Sequence, residues 1–132
     1  MSNSVDALFS DPTFRSLGLS LDAAAKRHAA IASNIANVST PGYKRVDLSA
    51  GFQSAFQQAL QQLDQTGTAA SLPTPTISVA DVQGLARQDG NTVNIEKEMI
   101  DLMQNQSRFD FAAQMTAKNL RGLRMAATGK SM

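Results

Sequence analysis

Glu96, Glu98 and Asp101 stand close together in the sequence, and paired carboxylates are the raw material of general acid–base catalysis. They also open a predicted helix, where the positive end of the helix dipole favours anions without any chemistry. His28, the only histidine, falls on the apolar stripe of another predicted helix. A metal there would need further nitrogen or sulfur ligands, so the residue reads as a packing group. Lys118, Arg121 and Arg124 recur every three residues. That spacing can present a basic stripe to phosphate or lipid headgroups, but the closing turns of a helix favour cations in any case. No G-x-S-x-G elbow and no Gly-rich phosphate loop accompanies the many Ser and Thr. The expectation is a protein that is not an enzyme, with no catalytic, cofactor-binding or metal-binding residue.

Composition narrows the class further. The chain has 132 residues, 12 Lys+Arg against 11 Asp+Glu, and a formal net charge of +1, which removes any global attraction to nucleic acid. Without cysteine there is no disulfide framework, zinc ribbon or thiol nucleophile. No run approaches the roughly 20 apolar residues of a membrane span. The opening MSNSVDALFSDPTF lacks the basic and apolar regions of a cleavable secretory signal. Aromatic residues are only 5% of the chain, so six Phe and six Met must supply most of the bulk. An Ala-rich core buries little area, and such a chain needs neighbours to complete its burial.

Those residues must be positioned by a few long elements within a single domain, 1–132. After an N-terminal extension, 1–16, the residues Leu17, Leu21, Ala24, His28, Ile31, Ile35 and Val38 step by four and three, which predicts a heptad helix over 17–38. Ser20 and Asp22 are its candidate capping and dipole groups. A turn motif follows at 39–47, because Pro41 moves Thr40 out of helical conformation and Pro41-Gly42 suits a type II turn. Leu48, Phe52, Phe56, Ala59 or Leu60, and Leu63 predict a second helix over 48–65 with a Gln-rich outer face. Residues 66–93 read as an irregular linker with room for one short strand at Ile77–Val79, which Val82 could extend. Ile95, Met99, Leu102, Gln106, Phe109, Ala113, Thr116, Leu120 and Leu123 predict the longest helix, 94–128, with Asn94 as N-cap. The expected fold is dominated by α-helix. Its N- and C-terminal heptad helices pair as an antiparallel coiled coil, with a short extra helix and an irregular middle. The expected seam comprises Leu17, Leu21, Ile31 and Ile35 on one helix and Ile95, Met99, Leu102, Phe109, Leu120 and Leu123 on the other. A second apolar flank (Met99, Met103 and Met115) is left for adjacent subunits, since flexible Met side chains tolerate unequal contacts.

The most informative string is Ser33-Asn34-Ile35-Ala36-Asn37-Val38-Ser39-Thr40-Pro41-Gly42-Tyr43-Lys44-Arg45. As bare physics it is a helix end and a turn. Asn34 and Asn37 offer amides to free carbonyls, Asn37 suits a left-handed helix end, and Gly42 suits positive φ. Tyr43, the only tyrosine, can pack its ring and bond its hydroxyl. The string closely resembles the SNIANxxTPGYK motif of the bacterial flagellar axial proteins, a family of rod, hook and hook-associated subunits. Ser33, Asn34, Ile35, Ala36, Asn37, Thr40, Pro41, Gly42, Tyr43 and Lys44 are the positions that match. The stretch from Asp89 to Gln114, DGNTVNIEKEMIDLMQNQSRFDFAAQ, is similar to the corresponding segment of the smallest members, the proximal rod subunits. Together the two similarities extend over nearly the whole chain.

The resemblance implies a structural subunit that polymerises into the periplasmic rod of the flagellar basal body and transmits torque from the membrane ring to the hook. The implied partners are other rod subunits, the membrane-ring protein, the rod adaptor and the flagellar type III export apparatus. Export by that route would proceed without a cleavable signal peptide. The competing reading is a soluble helical export adaptor or chaperone-like module that uses the basic stripe near its C-terminus.

Overall fold

The computed structural model describes residues 11–67, 71–81, 84 and 86–129. The N-terminal extension as far as residue 10, and Val82, lie outside them. In chain order the elements are α1 (Pro12–Ala36), β1 (Val46–Leu48), α2 (Ala50–Thr66), β2 (Ile77–Val79) and α3 (Ile95–Thr128). The expected all-α architecture holds: α1 packs along α3, and a two-stranded sheet and α2 lie beside them. The pair is antiparallel, because Asn34 meets Glu98 while Ala24 meets Asn105.

Helix α1 starts five residues before the point that periodicity predicts. Asp11 accepts a hydrogen bond from the Thr13 N–H at 3.1 Å, and Pro12 occupies the first turn, where its missing N–H costs nothing. Residues 12–16 therefore belong to the helix and not to an extension. Ser20, a candidate cap, instead lies inside the helix and donates to the Ser16 carbonyl at 2.9 Å. The other end stops at Ala36. Asn37 has φ −106°, so the expected left-handed terminus does not form.

The second helix begins at Ala50, with the Ser49 hydroxyl accepting from the Phe52 N–H at 3.2 Å, and Gly67 closes it at φ 70°. Phe52 is buried and its ring stacks on Phe56 with centroids 5.6 Å apart. Leu48, which periodicity assigns to this helix, is the last residue of β1. The strand at Ile77–Val79 forms where alternation suggests it. It pairs antiparallel with Val46–Leu48, in the register Val46↔Val79, Asp47↔Ser78 and Leu48↔Ile77. Val46-Asp47-Leu48 alternates in the same way, but it straddles the turn motif and the stripe assigned to the second helix, so β1 was hidden between them.

Helix α3 runs from Ile95 to Thr128. Asn94 caps it as predicted, accepting from the N–H groups of Glu96 and Lys97 at 3.0 and 3.2 Å. Lys118, Arg121 and Arg124 do not occupy its last turn, which continues beyond them to Thr128 before Gly129 ends it at φ 63°. At 1.5 Å per residue α3 is about 50 Å long against about 37 Å for α1. Its C-terminal turns thus run past the start of α1.

The seam itself is displaced. The buried positions are Ser16, Ala23, Ala24, Ala30, Ile31 and Asn34 on α1, and Glu98, Asp101, Asn105 and Ala112 on α3. On both helices the dominant heptad is one residue earlier than the stripe of large apolar side chains. Ile31 alone of the expected seam is fully buried; Leu17, Leu21, Ile35, Leu102 and Leu123 are half-buried. Ile95, Met99, Phe109 and Leu120 are exposed, between 38% and 49%. His28 is exposed as well. Hydrophobic periodicity cannot find a seam whose centre is small and polar.

Candidate functional site: where the two motifs meet

Both similar segments come together at one end of the helix pair. Asn34, on the last turns of α1, is fully buried. Its amide pairs with both backbone groups of Val46, accepting from the N–H at 2.9 Å and donating to the carbonyl at 2.8 Å. The strand register explains why those groups are free. Arg45 and Ser49 bond across to Ala80 and Thr76, both at 2.8 Å, so Val46 faces the other way. Asn34 thus serves β1 as a third strand would. Its remaining N–H donates to Glu98 Oε2 at 3.1 Å, and its Oδ1 also accepts from the Tyr43 hydroxyl at 3.3 Å. That hydroxyl shares a second bond with Ser33 Oγ at 3.0 Å.

The Pro41-Gly42 turn is of the expected kind. The Tyr43 N–H donates to the Thr40 carbonyl at 3.3 Å, and Gly42 has φ 74°. The turn is gripped by the segment from Asp89 to Thr92. The Gly42 N–H donates to the Asp89 carbonyl at 2.8 Å, Lys44 Nζ to the Gly90 carbonyl at 2.9 Å, and the Thr92 N–H to the Tyr43 carbonyl at 3.1 Å. Asn91 is fully buried at the centre. Its Nδ2 donates to the carbonyls of Asn37, Thr40 and Val38 at 2.9, 2.8 and 3.2 Å, while its Oδ1 accepts from the Val93 N–H at 2.8 Å. Asn91 therefore binds the carbonyl of Asn37, which caps α1, and two more in the turn beyond it, sharing a task the sequence suggested for Asn34 and Asn37. Of those two, only Asn37 serves the helix end, donating from its side chain to the Ser33 carbonyl at 2.8 Å.

Beneath the turn lies a network of charges. Arg45 is buried and binds Glu98 through Nε and both Asp47 and Asp101 through Nη2 at 3.0 Å. Arg27 holds the Asp47 carboxylate with two bonds at 3.0 and 3.3 Å and stands 3.8 Å from Asp101. Lys97 completes the set, 2.7 Å from Asp101. The three cations balance the three carboxylates, as charges withdrawn from water require. Burial alone would raise the Asp47 carboxyl, but the Arg27 bond and charge, the Leu48 N–H and Arg45 outweigh it and hold it below the usual carboxylate range. Burial likewise opposes the charged form of Arg45, and Glu98, then Asp47, raise it above its ordinary value. Among the described residues every buried side-chain nitrogen and oxygen has a partner.

This arrangement corrects the reading of the acidic cluster. Glu96 is exposed at the helix start, as dipole complementation predicts, whereas Glu98 and Asp101 are interior ion-pair members. Each is tied up by cations, which leaves neither poised as a base. Ser33, Asn34, Asn37, Thr40, Gly42, Tyr43 and Lys44 are brought into the junction; Ile35 is half-buried beside it, and Ala36 and Pro41 remain exposed. Arg27, Arg45, Asp47, Asn91 and Asn105 were not singled out by sequence. Arg45, Asn91 and Asn105 lie within the two quoted segments, and the need of the α3 carboxylates for a cation was the signal that could have found Arg45. Asn105 reaches α1 through its Nδ2, which donates to the Ala24 carbonyl at 2.8 Å.

Comparison with known proteins agrees with the two segments. The sequence profile of the family described as Flagella basal body rod protein matches residues 19–44. The chain is similar to the flagellar basal body rod protein FlgB of Bacillus subtilis (strain 168), with 30% identity over 129 residues, covering 93% of this chain and 98% of that one. Its similarity to FlgB of Aeromonas hydrophila is 27% over 133 residues, 94% and 98% of the two chains. With FlgB of Yersinia enterocolitica it is 27% over 117 residues, 78% and 84%.

Proposed function

The chain belongs to the flagellar basal body rod protein family, and from that premise we infer that it is a structural subunit of the proximal rod that transmits torque between membrane ring and hook. The observation that supports this reading is the mismatch between the seam and the apolar stripe. The subunit closes its polar junction completely, yet leaves Ile95, Met99, Met103, Phe109 and Leu120 of α3 exposed. A rod subunit needs such a face for its neighbours, and Met side chains adapt to non-identical contacts. The function is mechanical: the junction makes each subunit stiff, and contacts between subunits resist shear. Its partners on this reading are other rod subunits, the membrane-ring protein and rod adaptor, and the type III export apparatus. Its place on this reading is the periplasmic part of the basal body.

Two measurements test this. In basal bodies purified through detergent and high salt, a rod subunit stays with the particle, whereas an export adaptor washes off. Leu120→Asp is expected to change the stability of the isolated subunit by no more than about 1 kcal/mol, because the side chain is only half covered there. The same change should stop rod growth and abolish hooks. Normal rods and hooks in the Leu120→Asp strain would remove this stripe from the assembly.

A further inference from the structure

The seam and the exposed stripe of α3 are related by a rotation. Glu98, Asp101, Asn105 and Ala112 face α1, whereas Ile95, Met99, Phe109 and Leu120 follow a heptad one residue out of phase. One residue is about 100° around an α-helix. Turning α3 by that amount would set its large apolar side chains against Ala23, Ala24, Ala30 and Ile31 of α1. Hydrophobic burial by itself favours that setting, because the buried face now carries three polar side chains and one alanine.

The polar junction opposes the turn. Glu98 and Asp101 reach Arg45 from adjacent turns of α3, Glu98 also takes the Asn34 amide, and Asn105 holds the Ala24 carbonyl a further turn along. Rotation would break all of these together. It would leave the Arg45 guanidinium with Asp47 alone and an unpaired amide or carboxylate in the interior. Polar groups buried in a helix seam are known to select one packing over others at a cost in stability.

We propose that the ion and amide network is a rotational lock. It holds α3 in the setting that keeps its bulky apolar stripe outside, and so prevents the subunit from burying that stripe in itself. The consequence for polymerisation rests on the rod reading. The lock belongs to the isolated chain and is tested there.

The chain has no cysteine, so an introduced thiol reports a single position. Met99→Cys places it on the exposed stripe and Ala112→Cys on the buried face. The lock is removed by combining Arg45→Met, Glu98→Ala, Asp101→Ala and Asn105→Ala in the full chain, which leaves a seam of small side chains, Asp47 with Arg27 and Asn34 with Val46. Alkylation rates are then read on the monomeric fraction alongside helicity by circular dichroism. The expected result is retained helicity, a thiol from Met99→Cys that reacts about tenfold or more slowly than in the locked chain, and one from Ala112→Cys that reacts faster. Unchanged rates with helicity retained would overturn the lock, since α3 would keep its setting without it. Loss of helicity would overturn it too, because the network would then be required for the fold and not for the choice of face. Neither result bears on whether the native chain enters a rod, which the basal-body assay reads separately.

Discussion

The two ends of the α1–α3 pair are built on different principles. At the motif end, buried amides, charges and turn backbone are interlocked by hydrogen bonds that connect residues far apart in the sequence. At the other end, Ser16, Ala23 and Ala112 form a thin seam, and α3 continues beyond α1 with Leu120 and Met125 exposed. Directional bonds demand one geometry, whereas a seam of methyl groups tolerates many. Specificity is therefore concentrated at one end of the subunit, whereas exposed apolar surface runs along α3 from Ile95 to Met125.

The sharpest way to break the contrast is Arg45→Ala. Glu98 would stay fully buried without its guanidinium, and the expected loss is about 3–5 kcal/mol in urea denaturation. A small loss there would mean that the junction is not the stable end. Asn91→Ala takes the acceptor from the buried Val93 N–H and one of two donors from each of three backbone carbonyls, and the orphaned N–H by itself costs about 1–3 kcal/mol. Hydrogen exchange should accelerate in the last turn of α1 and in the turn at 40–43, with the C-terminal turns of α3 unaffected.

Gly42→Val comes next. A Cβ at Gly42 meets nothing within 4 Å, so the cost is backbone strain at positive φ, about 1–3 kcal/mol by thermal unfolding. The acid response is the finest probe. The folded-state pKa of Asp47 is depressed, so its contribution is fully present above the ordinary carboxylate range and lost as pH falls through the lowered value. Stability should hold from neutrality to about pH 4 and then decline, and Asp47→Asn should flatten that acid limb. An unchanged limb would assign the acid sensitivity to other carboxylates.

The three helices, the Asn94 cap, the Pro41-Gly42 turn and the membership of the rod family were legible in one dimension. Each rests on local spacing or on a contiguous string of residues. The first strand and the early start of α1 were not legible by periodicity, one being divided between the turn motif and the second helix's stripe and the other set by the Asp11 cap.

What the sequence determined alone is which segments are helical and which residues recur along each helix, because steps of three and four follow from the helix itself. Which face turns inward was decided only in three dimensions. Arg45, Asn91 and Asn34 have side-chain partners 51 to 64 positions away or on a strand invisible to periodicity, and no local pattern records them. Hydrophobicity ranked the large side chains first, but the satisfaction of buried charges and amides outweighed it at the seam. An apolar side chain left half exposed forfeits only part of its burial energy, whereas an unpaired interior charge costs several kcal/mol (about 3–5).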